Sequence, residues 1–260
     1  MLKVEIQSGV ARVTLDRPEV RNAFDDALIR ELQNCFQSLA MNKAVRAVVL
    51  AGNGPAFCAG ADLNWMKRMA GYGYAENLAD AQALATMLAT LDRMPQPTIA
   101  RVHGPAFAGG TGLVAACDIA VGTPEAKFCF SEAKLGLSPA TISPYVIRAI
   151  GERMARRYFL TAEVFGAEEA HRIGLLSALV SPSDLDKEVS SMVKHLLAGG
   201  PEAHVKIKDL IRAVTGRRVD DALSADTAKR IAEVRVSPEG REGIASFLEK
   251  RRASWCSPKS

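Results

Sequence analysis

This 260-residue chain has little net charge, few histidines and no paired cysteines. Lys+Arg number 33 and Asp+Glu 29, a formal net charge of only +4. So small an excess gives no electrostatic ground for binding nucleic acid; it leaves room for a local basic pocket around an anionic ligand. The four histidines, His103, His171, His195 and His204, show no metal-ligand spacing. There is no HExxH, and no serine sits in a GxSxG elbow. The five cysteines, Cys35, Cys58, Cys117, Cys129 and Cys256, are odd in number and form no CxxC pair. They read as reduced core thiols of a cytosolic protein, and no metal site is expected. No stretch approaches the ~18 apolar residues that cross a bilayer. Met1-Leu2-Lys3-Val4-Glu5-Ile6 reads as strand and not as a targeting segment.

What is present is a globular composition, 48% hydrophobic and 24% charged, in a chain long enough to bury a sizeable core. Val4 and Ile6 precede a Ser8-Gly9 turn. Ala11, Val13 and Leu15 then alternate with Arg12, Thr14 and Asp16, which predicts a half-buried hairpin. Asp25-Asp26 open a helix with Leu28, Leu32, Cys35/Phe36 and Leu39 on one stripe. A buried strand follows at 45–50, a helix at about 75–91 and a strand at 98–102. Gly109-Gly110 lead a short helix to Ala116, and short strands are expected at 118–121 and 128–130. Ser143-Pro144 make a cap and first-turn proline for a helix that pauses at Gly151. Beyond it the pattern is helical at 152–161, 167–173, 183–198, 203–215, 219–235 and 239–254, with a strand at 176–180. The expected division is a mixed core over 1–198 and a helical region over 199–260.

Two loops are built of small residues. One is Phe57-Cys58-Ala59-Gly60-Ala61-Asp62-Leu63; the other is His103-Gly104-Pro105-Ala106-Phe107-Ala108-Gly109-Gly110-Thr111-Gly112. Small residues let a ligand approach the backbone. A helix starting near Gly109 would aim free N–H groups and a positive dipole end at it. One N–H from each loop would make an oxyanion hole for an acyl oxygen; glycine-rich turns also simply reverse a chain. Gly110-x-Gly112-x-x-Ala115, with Glu132 downstream, mimics a dinucleotide fingerprint. It is weak, because Asp118 to Pro124 reads as strand and turn and no βαβ half precedes it. Glu132 closes the run Phe128-Cys129-Phe130-Ser131. Such a carboxylate is either partly desolvated, with its pKa raised toward acid/base use, or an exposed strand-end glutamate. The second is the commoner fate.

Taken in order, these pieces resemble the crotonase (enoyl-CoA hydratase/isomerase) superfamily from end to end. The likeness rests on Leu15-Asp-Arg-Pro18, Asn22-Ala-Phe24, Phe57 to Leu63, Gly104 to Gly110 and Cys117-Asp118. It continues through Phe130-Ser-Glu132, Leu135-Gly-Leu-Ser-Pro139, Arg148-Ala-Ile-Gly151, Ala170 to Leu175 and Phe247-Leu-Glu-Lys-Arg251. The resemblance implies an α/β spiral of ββα repeats with a C-terminal helical region that builds a homotrimer, often paired into a hexamer. It implies an acyl-CoA thioester substrate, with no cofactor beyond the coenzyme A of that substrate. The Ala61 and Gly109 amides would hold the thioester oxygen, and Glu132 would be the acid/base. Asp62, Leu63 and Asn64 would continue the CoA loop, and Arg21, Ala23 and Ala59 would line the pantetheine and nucleotide path. Phe247 and Lys250 would reach a neighbour's CoA.

The chain also departs from that pattern. Hydratases of the family carry two glutamates around the alkene; Glu132 takes the second place and Gly112 stands at the first, where it is expected to enlarge the pocket. Ala140-Thr-Ile-Ser-Pro-Tyr145 replaces the usual Gly-Gly-Thr-Gln stretch. A single glutamate is what family isomerases use. The finer likeness, in Gly60 to Met66 and Leu137 to Gly151, is to bacterial methylglutaconyl-CoA and carboxygeranoyl-CoA hydratases of leucine and acyclic terpene breakdown. The expected activity is therefore hydration of a branched, carboxylated 2-enoyl-CoA. Alternatives are a Δ-isomerase with a single glutamate and a non-catalytic acyl-CoA-binding member. A distal carboxylate calls for a cation, with Arg68 and Arg148 as candidates, and Trp65 and Met66 either shape the acyl pocket or serve the core. Some relatives bind AU-rich RNA through a lysine-studded first helix; here 25–42 has Arg30 and no lysine, so neither nucleic acid nor membrane is an expected partner.

Overall fold

The structure is a computed structural model that describes residues 1–256. Its contacts divide the chain into two compact units, Met1–Ser191 and Met192–Ser260. Among the described residues no helix is long and apolar enough to cross a membrane.

The first unit is a mixed α/β fold. Strands β1 (Leu2–Gln7) and β2 (Val10–Leu15) form an antiparallel hairpin. Ser8 and Gly9 have φ of 49° and 82°, the two left-handed positions of a tight hairpin turn whose twist matches its strands. Ala11, Val13 and Leu15 are fully buried. The other half differs from expectation: Val4 and Ile6 remain 45% and 49% exposed, because β1 ends the sheet and has only β2 beside it. Helix α1 (Asp26–Met41) carries the chain to β3 (Ala47–Gly52), parallel to β2. Asp25 caps α1 by accepting the Leu28 N–H at 2.8 Å. Leu28, Leu32, Phe36 and Leu39 are buried as the stripe predicts, and each is worth roughly 1.5–3 kcal/mol.

Helices α2 (Leu63–Met69) and α3 (Tyr74–Asp92) connect β3 to β4 (Thr98–Val102). Then β5 (Ala106–Phe107) and α4 (Gly109–Ala116) lead to β6 (Ile119–Gly122), and β7 (Lys127–Cys129) and α5 (Ser143–Thr161) follow. The unit continues through β8 (Phe165–Gly166), α6 (Ala167–Arg172) and β9 (Ala178–Leu179) into α7 (Leu185–Ala198), within which the two units divide. The large sheet has the order β1-β2-β3-β4-β6-β9 and the small one β5-β7-β8. The turns β4-β5-α4 and β6-β7-α5 each add one strand to either sheet and then a helix.

Gly151 breaks α5 with φ 74° and ψ 160°, at the expected pause. Ser143 is not its cap: Ile142 holds that position, and the Ser143 hydroxyl donates to the Ala140 carbonyl at 2.8 Å. Cys58 and Cys129 are buried and the other three thiols half-buried. His103 bonds the Gly54 carbonyl at 2.8 Å, while His171 and His195 are exposed and His204 is half-buried.

In the second unit α8 (Pro201–Val214), α9 (Asp221–Val236) and α10 (Pro238–Leu248) pack on one another. Asp220 caps α9 through the Leu223 N–H at 2.8 Å. The Glu239 carboxylate accepts the Glu202 and Ala203 N–H groups at 2.9 and 2.7 Å, which satisfies the start of α8. Ile207, Ile211, Ile231, Phe247 and Leu248 are exposed on this unit.

Candidate active site

Backbone pairing brings the two small-residue loops together. Phe107 N–H donates to the Cys58 carbonyl at 2.9 Å, and Phe57 and Cys58 N–H groups reach the Pro105 carbonyl at 3.0 and 3.2 Å. Segment 21–24 runs along the other side of the first loop. Ala59 N–H donates to Arg21 O at 3.0 Å, Phe24 N–H to Gly60 O at 2.6 Å and Asp62 N–H to Phe24 O at 2.7 Å. These last two bonds flank Ala61 in a parallel bridge. In that pattern the flanked residue turns its own N–H and C=O away from the partner strand. The Ala61 amide is therefore directed away from Phe24.

Gly109 opens α4, so its N–H has no intrahelical acceptor. Ala108, just before it, has φ 46° and ψ −116°. A non-glycine residue there costs about 1–3 kcal/mol and persists only where the surroundings over-determine it. Here the Ala108 N–H is held by the Cys129 carbonyl at 2.8 Å, and its carbonyl accepts the Gly112 N–H at 3.1 Å. The glycines are close approaches: a Cβ on Gly110 would lie 2.3 Å from the Cys58 carbonyl oxygen, and one on Gly109 2.6 Å from the Phe24 ring.

The same Cys129 ends β7, and the chain runs on through Phe130 and Ser131 to Glu132 in a 3-10 turn (Ser131–Leu135). Glu132 is half-buried, and its Oε2 is buried with no hydrogen-bond partner among the described residues. Burial lifts its carboxyl above the usual carboxylate range, and a bond from its own backbone N–H offsets this in part. Of the two fates open to this residue, the structure shows the desolvated one.

Gly112 does not enlarge the pocket as expected. A Cβ there would lie 2.3 Å from Ile142 Cγ2 and 2.9 Å from Ile142 Cβ, so the Ile142 side chain fills that space. The two departures from the family pattern, at 112 and at 140–145, are thus one packing pair. The dinucleotide reading also fails structurally: α4 stops at Ala116, and a strand and turn follow.

The remaining expected residues separate. Arg21 is exposed with φ 53°, Ala23 is buried and Ala59 half-buried. The Asp62 carboxylate is turned to structure: it caps α2 through the Asn64 and Trp65 N–H groups at 2.8 and 3.3 Å and lies 3.6 Å from the Arg17 guanidinium. Leu63 and Asn64 are exposed. Trp65 is buried, with its indole N–H on Asp80 at 3.0 Å, which fits the core role; Met66 is half-buried. Neither candidate cation is free, since Arg68 pairs with Asp26 at 2.5 Å and Arg148 with Asp92. Phe247 and Lys250 belong to the second unit, where both are exposed. Sequence reasoning missed Ile142 and the strain at Ala108, and left Phe24 without a role. An isoleucine before Ser-Pro gave no signal of its destination.

Two sheets joined by strand–strand–helix turns, with an unspent amide from each of two interlocked loops, define the crotonase class of protein. The family model described as enoyl-CoA hydratase/isomerase matches residues 5–258. An enoyl-CoA hydratase from Shewanella pealeana is 42% identical, with TM-score 0.95 over 98% of this chain and 95% of that one. Pseudomonas aeruginosa AtuE is 34% identical, with TM-score 0.93 over 98% and 99%. Among sequences, enoyl-CoA hydratase AKT6-1 of Alternaria alternata is 34% identical over 249 residues, 95% of this chain and 80% of that protein. The chain belongs to the enoyl-CoA hydratase/isomerase family and is an enzyme of it.

Proposed function

We propose that the protein adds water across the 2,3 double bond of a branched, carboxylated enoyl-CoA such as 3-methylglutaconyl-CoA. The observation that carries this reading is the buried, unpartnered Oε2 of Glu132, on the chain that leaves Cys129 after that residue accepts the Ala108 N–H. A carboxyl raised by desolvation is better matched to take up a proton and then return it. The Ala61 and Gly109 N–H groups donate to the thioester oxygen and stabilise the enolate as it forms. Glu132 takes a proton from water, the hydroxide oxygen bonds C3, and Glu132 returns the proton to C2. The product is the substrate plus one water. Coenzyme A enters only as part of the substrate, its path lined by Arg21, Ala23, Ala59, Leu63 and Asn64. Phe247 and Lys250 of a neighbouring copy in a trimer or hexamer complete it.

One observation favours a second reading. Ile142 occupies the space beside Gly112, so Glu132 stands without a second carboxylate there. A lone carboxylate suffices for a Δ-isomerase, in which it moves a proton from C2 to C4 of a 3-enoyl-CoA with no gain of mass. Both readings are tested with purified protein on crotonyl-CoA, 3-methylglutaconyl-CoA and a 3-enoyl-CoA, with products weighed by mass spectrometry. A gain of one water, fastest on the methylglutaconyl ester and lowered ~10²–10⁴-fold by Glu132→Gln, is expected. Isomerised 3-enoyl-CoA without added water overturns the hydratase reading.

A further inference from the structure

We propose that Phe24 is the positioning residue that sets the separation of the two amide donors, Ala61 and Gly109. The inference rests on the oxyanion reading above and adds what holds that geometry. Phe24 reaches the peptides on either side of Ala61 and the first residue of α4 through different parts of itself. Its backbone N–H and C=O bond Gly60 O at 2.6 Å and Asp62 N at 2.7 Å, and so fix the peptide that carries the Ala61 amide. Its ring, 1% exposed, lies against Gly109: a Cβ built there would stand 2.6 Å from Cε2 and 2.9 Å from Cδ2. One rigid aromatic residue therefore bridges the first loop and the first residue of α4.

Phe24 is itself held from both sides. Arg17 donates to the Ala23 carbonyl at 2.9 Å and pairs with Asp25 at 2.9 Å and Asp62 at 3.6 Å. Asn22, fully buried at φ 58°, donates through Nδ2 to the carbonyls of Asn53 and Ala56 at 2.8 and 2.9 Å. The segment cannot slide along 59–62 without breaking these bonds. An aromatic ring has few internal degrees of freedom, so it transmits this fixed position to Gly109.

The test is a size-compensation cycle read on a bound enolate, independent of which reaction the enzyme runs. Acetoacetyl-CoA ionises to an enolate with near-ultraviolet absorbance, and butyryl-CoA is a neutral control thioester. Wild type is expected to favour the enolate. Gly109→Ala drives its methyl into the ring and lowers enolate affinity on the order of tenfold. Phe24→Leu alone lowers it about threefold, while the double variant Gly109→Ala/Phe24→Leu recovers to within about threefold of wild type. Butyryl-CoA affinity stays within about twofold throughout, a pattern that general loosening would not give. Thermal unfolding checks that each variant is folded, and Phe24→Met replaces Phe24→Leu if the latter is not. Enolate affinity unchanged in Phe24→Leu, or a double variant no better than Gly109→Ala, overturns the spacer role alone. A wild type indifferent to the enolate overturns the oxyanion reading and this inference with it.

Discussion

The amide side of the site and its carboxylate side are built by opposite means. Segments 21–24, 57–62 and 105–112 interlock through backbone hydrogen bonds, a strained Ala108 and glycines with no room for a Cβ. Around Glu132 and Gly112 the construction is side-chain packing: one buried carboxyl oxygen without a partner and one isoleucine filling a gap. Donors made of main chain cannot be deleted by most substitutions, only displaced. A wall made of side chains can be rearranged by a pair of changes, and Gly112 and Ile142 are packed so that a change at one calls for a change at the other. The difference teaches that, under the proposed function, the amide half of the site is fixed by main chain and hard to alter, while the carboxylate half is the one that a few side-chain changes can remodel.

The comparison breaks most sharply at residue 112. Gly112→Glu should not simply add a second carboxylate. Its Cβ meets Ile142 at 2.3 Å, so overpacking and a buried charge are expected to destabilise the fold by about 3 kcal/mol or more. Adding Ile142→Gly should recover the overpacking part of that loss in chemical denaturation. A stable Gly112→Glu single variant would show that the two positions are not coupled.

The carboxylate side also makes a prediction about pH. Glu132 is raised in the folded state by burial, so folding favours its protonated form. That contribution is fully present below the ordinary glutamate pKa and is lost as pH rises through the folded value. Glu132→Gln is therefore expected to raise Tm relative to wild type at neutral pH, and to bring no gain well below the ordinary carboxylate range. Scanning calorimetry across pH checks it; an equal gain at all pH values would mean that the ionised form carries no penalty.

The smallest effects belong to neither side. Phe247→Ala and Lys250→Ala remove exposed side chains of the second unit. They should leave unfolding free energy within about 0.5 kcal/mol and raise KM several-fold with kcat unchanged. Steady-state kinetics at varied acyl-CoA concentration reads this, and an unaltered KM would remove both residues from the CoA path.

Legibility in the sequence followed the same division. Features set by local chemistry were readable: Asp25 as a cap with its stripe of buried residues, the alternation of β2, the glycine break at 151 and the helix opening at Gly109. Among elements too short for a period, β7, β9 and α6 were expected near where they lie, and others were not. Strands β5 and β8 have two residues each and exist through their partners, and α2, at seven residues, is a helix that the sequence reading left out. In the site, the two small-residue loops were visible because close approach demands glycine and alanine. Glu132 was visible as a candidate, but its burial depended on how the chain folds around it. The space at Gly112 was misread for a physical reason: a glycine reports which side chain is missing, not which distant one moves in.

Strand β1 carries a consequence for a crowded solution. It ends a six-stranded sheet with Val4 and Ile6 half in water and, among the described residues, one row of main-chain donors and acceptors unclaimed by a neighbouring strand. Such an edge is a template on which another polypeptide can add. Lys3 and Glu5, interleaved with the two apolar side chains, put charge into any strand that tried, and Lys3 is held in place by Asp16 at 2.8 Å. The alternation that predicts a hairpin therefore also works as a guard against aggregation.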